Sequence, residues 1–403
     1  MNPDAPAPPA RTLPLARRWP APALALTLLL AGAGWAAQTS AAQTSAAQPA
    51  APGPQSIIRD AQRVTAPNGI EELKAVPIGG IKQWISVRGN DKRNPILLFI
   101  HGGPGSTELP VSWLYQRPWE DSFTVVQWDQ RGAGKTAAAN PGGAARKSIS
   151  VDRMTQDGVE LVAYLRQHYG KRKIFVMGHS WGTVIGLNIA KTHPDWLHAY
   201  IGMGQFIDGA ENEALGYSFA VREAQATKNT QAIQELKALA PYPGPLSTLT
   251  LPRIVTQRKW VIYFGGLTAG RSNFDYDGNA RTLSPAYSAA ELAGSAENEG
   301  VSLVGLLPQL VGLDYRKVTR LDCPTFIFAG RRDFETPSQI AATWFTRLHA
   351  PSKEIVWFEH SAHMMQFEQP GRLLARLVQD VRPIAVRAGD AAPDDQPGVG
   401  RLR

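Results

Sequence analysis

The sequence predicts an α/β fold, a mostly parallel sheet with helices on both faces and a helical cap inserted between two strands. Three observations carry that prediction. Apolar runs of strand length alternate with stretches of helical periodicity over 57–205 and again over 318–386. Between them, over 206–317, the alternation lapses into helix-like pieces separated by Pro241, Pro243, Pro245, Gly265, Gly266 and Gly270. The third observation is Gly178-His179-Ser180-Trp181-Gly182, which stands where a strand hands over to a helix.

Taken in order, residues 1–36 have the form of an export signal. Arg11, Arg17 and Arg18 make a basic start, Ala21 to Ala33 is apolar, and Gly34-Trp35-Ala36 supplies small residues for cleavage. The apolar run is shorter than the roughly 20 residues a spanning helix needs, so the expectation is a cleaved leader and a periplasmic or secreted protein. Residues 37–56 repeat A-A-Q-T-S and then turn proline-rich, as a disordered linker does. Ile81 to Val87, Pro95 to Ile100 and Phe123 to Trp128 read as strands. The second is a continuous apolar run, as expected of a strand covered on both faces. Ser150 to Gly170 reads as an amphipathic helix, followed by the strand Lys173 to Met177, the helix Thr183 to Lys191 and the strand Leu197 to Gly202. Beyond the cap, Pro324 to Gly330 and Lys353 to Phe358 are strands, with Ser338 to Leu348 and Pro370 to Val381 as helices. Residues 387–403 read as a flexible tail.

Strand, sharp turn and helix around G-x-S-x-G make a nucleophile elbow with Ser180 at its tip. The turn strains the serine backbone, so small residues must flank it, and Gly178 and Gly182 do. The N–H of Trp181 then falls at a helix N-terminus, where it can stabilise an oxyanion. A serine hydroxyl is a weak nucleophile and needs a base oriented by an acid, following in the chain order serine, acid, histidine. Asp333, after a strand end in Gly330-Arg331-Arg332-Asp333, is the acid, with Glu335 in reserve. His363 is preferred as the base over His360, which abuts the last strand. His101-Gly102-Gly103-Pro104-Gly105 offers a loop in which the N–H of Gly103 can serve as the second oxyanion donor. Asp129 and Arg131 are expected to form an ion pair or a brace under that loop.

These motifs together, H-G-G-P-G, D-Q-R-G-x-G and G-x-S-W-G, resemble the prolyl iminopeptidase-like branch of the α/β-hydrolase superfamily over about 57–383. The resemblance implies a Ser180–Asp333–His363 triad, an oxyanion hole from Gly103 and Trp181, a helical cap over the site, and release of an N-terminal residue, often proline, from short peptides. The chain departs from that pattern in two places. Lys135-Thr136 stands where a serine is common, and the elbow reads G-H-S rather than G-G-S, as in many esterases. An aminopeptidase must also hold a protonated amine, and Asp208, Glu211 and Glu213, just past a strand end, are candidates for that task.

Composition narrows the rest. The formal charge is +8, of which +2 lies in residues 1–36, with no dense basic block or aromatic–basic stripe, so nucleic acid is not expected as a partner. The single cysteine, Cys323, precludes an internal disulfide and reads as core packing. Gly134-Lys135-Thr136 imitates the end of a phosphate-binding loop, but Asp129 occupies the position of the first glycine. Gly202-Met203-Gly204 lacks the third glycine of a dinucleotide fingerprint, position 207 being Ile207. No paired-cysteine or H-E-x-x-H motif occurs, so neither metal nor cofactor is expected. The partner is a small molecule or short peptide, with no stable membrane insertion once the leader is removed. The alternatives are a carboxylesterase with the same triad and a non-catalytic binding protein on the same scaffold.

Overall fold

The computed structural model describes residues 52–393 apart from 142. The expected leader (1–36), most of the linker and the end of the tail therefore lie outside the described residues. Among the described residues no helix is long and apolar enough to cross a membrane. Helical structure begins earlier than expected. The helix Pro54–Ala61 starts inside the segment assigned to the linker, with proline at its first turn. The tail also starts later. Asp390 receives Lys171 Nζ at 2.8 Å and faces His198 Nε2 at 2.9 Å, which docks the segment beyond the helix Arg382–Arg387.

Eight strands are described: β1 (Ile70–Ile78), β2 (Ile81–Gly89), β3 (Ile96–Ile100), β4 (Thr124–Asp129), β5 (Ile174–His179), β6 (Leu197–Met203), β7 (Thr325–Gly330) and β8 (Lys353–Phe358). They form one sheet in the order β1-β2-β4-β3-β5-β6-β7-β8. β1 and β2 pair antiparallel, β2 meets β4 antiparallel, and all other pairings are parallel. β1 is the strand that periodicity did not predict. Its charges at Glu71, Glu72 and Lys74 make it an edge strand with one wet face, and Gly79-Gly80 turns it into β2.

The parallel strands β3 to β7 are buried along their length, the reason their sequences read as unbroken apolar runs. One apolar cluster lies on each face of the sheet, the first built on Val176, Ile185, Leu161 and Trp344, the second on Phe99, Trp119, Phe328 and Leu377. Between β6 and β7 run the helices Gly209–Ala226, Thr230–Leu239, Leu251–Tyr263, Asp275–Thr282, Ala289–Ala293 and Ser295–Leu310. They carry a small core of their own around Phe219, Leu236, Trp260 and Val261. Register aligns the carboxyl ends of the central strands: Ile100 faces Gly178, His179 faces Met203, and Gly330 faces Phe358. The loops that leave those ends therefore converge on one edge, as parallel α/β sheets require.

Candidate active site

Ser180 follows β5 with φ +54°, a conformation that costs a non-glycine residue free energy and persists only where its surroundings enforce it. The enforcement is visible. Ser180 N–H donates to Met203 O at 3.0 Å, and Ser180 O accepts from Thr183 N at 2.8 Å and Thr183 Oγ1 at 2.6 Å. A Cβ on Gly178 would stand 2.4 Å from Gly182 O, and one on Gly182 would stand 2.0 Å from Ile100 O. The glycines of G-x-S-x-G are thus fixed by backbone approaching backbone. The helix Gly182–Thr192 starts at once, with Val184 N donating to Trp181 O at 2.9 Å, so that the N–H of Trp181 stands at the helix N-cap.

The loop after β3 lies directly against the serine. A Cβ on Gly102 would sit 2.9 Å from Ser180 Cβ. Gly103 has φ +107°, and its N–H belongs to the same loop. Gln130, just past β4, braces this loop from below. Its Nε2 donates to His101 O at 2.8 Å, while its Oε1 accepts from Trp181 Nε1 at 2.9 Å. One amide side chain so ties the H-G-G-P-G loop to the elbow. Asp129 and Arg131, expected to form an internal ion pair or a brace for the loop, do not pair with each other but each take other partners. Arg131 binds Asp157 at 2.7 Å and Gly79 O at 2.8 Å, on the other side of the chain. Asp129 accepts from Thr107, Tyr287 and, at 2.8 Å, Lys135 N. It joins the stretch after the loop to the cap, where Lys135 Nζ also meets Glu291 at 2.7 Å.

Asp333 and His363 leave the ends of β7 and β8 and meet. His363 Nδ1 lies 2.8 Å from Asp333 Oδ2, with both residues buried. Asp333 Oδ1 accepts from the N–H groups of Glu335 (3.0 Å) and Thr336 (2.8 Å), and Thr336 Oγ1 donates to Oδ2 at 3.0 Å. Burial opposes a charged His363 ring, but the Asp333 carboxylate outweighs it and holds the imidazole above its ordinary range. Gly204 makes room: a Cβ there would stand 2.8 Å from His363 Cε1. The glycine that falsely suggested a nucleotide fingerprint is thus a clearance for the histidine. His360 is exposed and outside this arrangement. Glu335, the reserve acid, turns instead to Arg258 Nε at 2.8 Å.

His363 and Ser180 line one cavity of about 230 Å³. A second of about 240 Å³ shares Ser180, Gly103, Arg258, Glu299 and Glu335 with it and is faced by Ile254, Leu303, Leu307 and Leu310 of the cap. The three acidic residues proposed from sequence divide. Asp208 caps the helix Gly209–Ala226, accepting from Glu211 N at 2.6 Å, and pairs with Arg316 at 3.0 Å; it lines neither cavity. Glu211 is half-buried on that helix and lies 3.7 Å from Arg316. Only Glu213 reaches the second cavity, where it binds Arg258 Nη2 at 2.7 Å and Tyr242 Oη. An acidic first turn complements a helix N-terminus, which accounts for Asp208 and Glu211 without a ligand.

The carboxyl groups that share the His363 cavity with Ser180 are Glu108, Glu299 and Glu335. Burial pushes all three carboxyls up, Glu108 to about 7. Two guanidiniums offset them incompletely, because Arg258 is shared between Glu213 and Glu335 and Arg281 is paired with Asp277. No sequence signal pointed to this set. Glu108 and Glu299 are 191 residues apart and lie in no motif.

Comparison with known proteins agrees with this architecture. The family model for the alpha/beta hydrolase fold matches residues 95–370. A protein of Bacillus subtilis (strain 168) named probable aminopeptidase YbaC is 26% identical over 311 residues, spanning 77% of this chain and 96% of that protein. A probable proline iminopeptidase of Leptolyngbya boryana is 34% identical over 119 residues, 30% of this chain and 34% of that protein. Among solved structures, the proline iminopeptidase-related protein of Thermus thermophilus superposes with TM-score 0.55 at 20% identity, covering 78% of this chain and 99% of its own. The proline iminopeptidase of Mycobacterium smegmatis gives TM-score 0.54 at 17% identity, covering 79% and 100%.

Proposed function

The chain belongs to the alpha/beta hydrolase fold family and is a hydrolase, and from that premise we propose that it is a serine aminopeptidase acting through an acyl-enzyme. Ser180 attacks the carbonyl of a substrate's first residue. His363 takes the serine proton and returns it to the leaving amine, while Asp333 holds the imidazole by its Nδ1–H. The N–H groups of Gly103 and Trp181 stabilise the tetrahedral oxyanion. Water then attacks the ester, with His363 again as base, and frees the N-terminal residue.

The observation that carries the substrate class is the charge imbalance of the site. Five carboxyl groups (Glu108, Glu213, Asp277, Glu299 and Glu335) surround the two cavities or touch their lining, against two guanidiniums. Buried carboxylates in excess of cations are costly, and a protonated substrate amine is the counter-charge that would relieve them. The names of the relatives, aminopeptidase and proline iminopeptidase, point the same way. An ester substrate is the second reading, favoured by the apolar cap wall of the second cavity.

A panel of aminoacyl-arylamides, their N-acetylated counterparts and short acyl esters tests the reading. Free-amine substrates should turn over, and acetylation should cost about 10²-fold or more in kcat/KM, since it removes a charged hydrogen-bonded group. Turnover indifferent to acetylation, or confined to esters, would overturn it.

We also place the enzyme in the periplasm or outside the cell, on the basic start, apolar run and small-residue cut of residues 1–36. Mass spectrometry of protein from fractionated cells should find an N-terminus near Ala37. Full-length protein in the cytoplasm would refute this.

A further inference from the structure

Resting on the reading that the substrate carries an amine, we propose that its nitrogen is seated between Glu108 and His179, on the core wall of the cavity, rather than on the carboxylates of the cap. Both residues are buried and both line the cavity that holds Ser180. His179 Nε2 lies 3.1 Å from His363 O, a carbonyl that can only accept, so the ring proton is on Nε2 and Nδ1 is a bare acceptor. Burial, with His363 nearby, keeps the ring neutral. His179 Nδ1 has no hydrogen-bond partner, an orphaned buried acceptor that calls for an explanation. Glu108 Oε1 is 3.9 Å from it, too far for a hydrogen bond.

The Glu108 carboxyl is held from behind by neutral donors only, Tyr115 Oη on Oε2 at 3.2 Å and Gln366 Nε2 on Oε1 at 3.1 Å. The 3.9 Å between the two acceptors is a spacing that one nitrogen, at about 2.9 Å from each, would bridge. A group placed there must supply two N–H donors and a positive charge. A protonated primary or secondary amine does both; a hydroxyl supplies one donor and no charge. The seat is also close to the chemistry. His179 immediately precedes the nucleophile, and its ring packs 4.7 Å from that of His363. The nitrogen of an aminoacyl group lies only roughly 2.5 Å from its carbonyl carbon, so the anchor and the reacting centre must be neighbours. This gives the histidine of G-H-S, a departure from the G-G-S elbow, a reason to be there.

Glu108→Gln keeps the shape and removes the charge. The ratio of kcat/KM for an aminoacyl-arylamide to that for its des-amino analogue should fall about 10–100-fold, carried by KM, as expected for loss of one charged hydrogen bond. Glu299→Gln on the cap should change that ratio less. A ratio unmoved in Glu108→Gln, or moved more by Glu299→Gln, would overturn the seat while leaving the amine reading standing. Absence of any aminoacyl turnover with esters still hydrolysed would overturn both. A measurement on the unaltered enzyme does not depend on a variant folding. A simple alkylamine, with a pKa near that of lysine at about 10.4 and so protonated throughout, should inhibit more weakly as pH falls from about 8 to about 5.5, because Glu108, faced by His179, Tyr115, Tyr276, Asp277 and Arg281, takes up a proton across that range. Inhibition constant over that range would contradict the seat.

Discussion

The edge of the sheet and the underside of the cap meet at one cavity but are held by different forces. At the sheet edge, position comes from backbone: parallel register brings five strand ends level, and Ser180, Gly103, Asp333 and His363 follow within a few residues of those ends. Main-chain hydrogen bonds, and glycines whose missing side chains let two segments touch, hold the elbow and its neighbouring loop, with the side chains of Gln130, Thr183 and Thr336 completing the set. Under the cap, position comes from buried charge. Arg258 spans Glu213 and Glu335, and Arg281 spans Asp277 and Thr107 O. The first arrangement is set by topology and tolerates little change in sequence. The second can be rewritten residue by residue on the same helices. The candidate triad and oxyanion donors sit on the first, and the cavities beside Ser180 are walled by both. The cap also reaches across. Leu267 O accepts from His363 N at 2.9 Å and Gly266 O from Phe334 N at 3.0 Å, so one cap segment steadies both the base and the acid loops.

Asp333→Asn should have the largest effect, a fall in kcat on the order of 10³–10⁴-fold, because it leaves His363 without the carboxylate that fixes its tautomer. It should also move the pH profile. The working imidazole must be neutral, and Asp333 raises its pKa. Activity of the unaltered enzyme is therefore lost, as pH falls, at a higher pH than an ordinary histidine would give; in Asp333→Asn that limb should shift to lower pH. Arg258→Met tests the cap. It strands Glu213 and Glu335 without their cation and should cost about 3 kcal/mol in urea unfolding, and because the guanidinium opposes a charged His363 ring, the acid limb of the pH profile should move to higher pH. Gln130→Ala removes the amide that ties His101 O to the Trp181 ring and should lower kcat about 10-fold, less than loss of an oxyanion donor itself, with little change in KM. Glu211→Ala should leave KM within about twofold, and a larger change would return that residue to the site.

The sheet edge was legible in the sequence because its constraints are local. An unbroken apolar run ending in H-G-G-P-G or in G-x-S-x-G announces both a buried strand and what its end must do. β1 escaped because its apolar face alternates with charge, although Gly79-Gly80 before Ile81 was a hairpin signal. The brace at Gln130 escaped because charged residues stand on either side of it, and a neutral amide between them carries no comparable signal. Its amide reaches two loops at once, a property of the folded register. The cap could not be read in this way. Asp208 and Glu211 were attractive as acids after a strand end, yet they serve the start of a helix. The carboxyl groups that share a cavity with the serine come from the loop after β3, the helix Ser295–Leu310 and the turn after Asp333, and only the fold brings them together.

The most direct test of the central claim is intact-mass and peptide analysis after exposure to an aryl fluorophosphonate, which needs only an activated serine. The account predicts one equivalent bound, located on Ser180, with the rate falling at acid pH as His363 takes up a proton and reduced by orders of magnitude in His363→Ala. No adduct at Ser180, or one formed as fast in His363→Ala as in the unaltered enzyme, would contradict it.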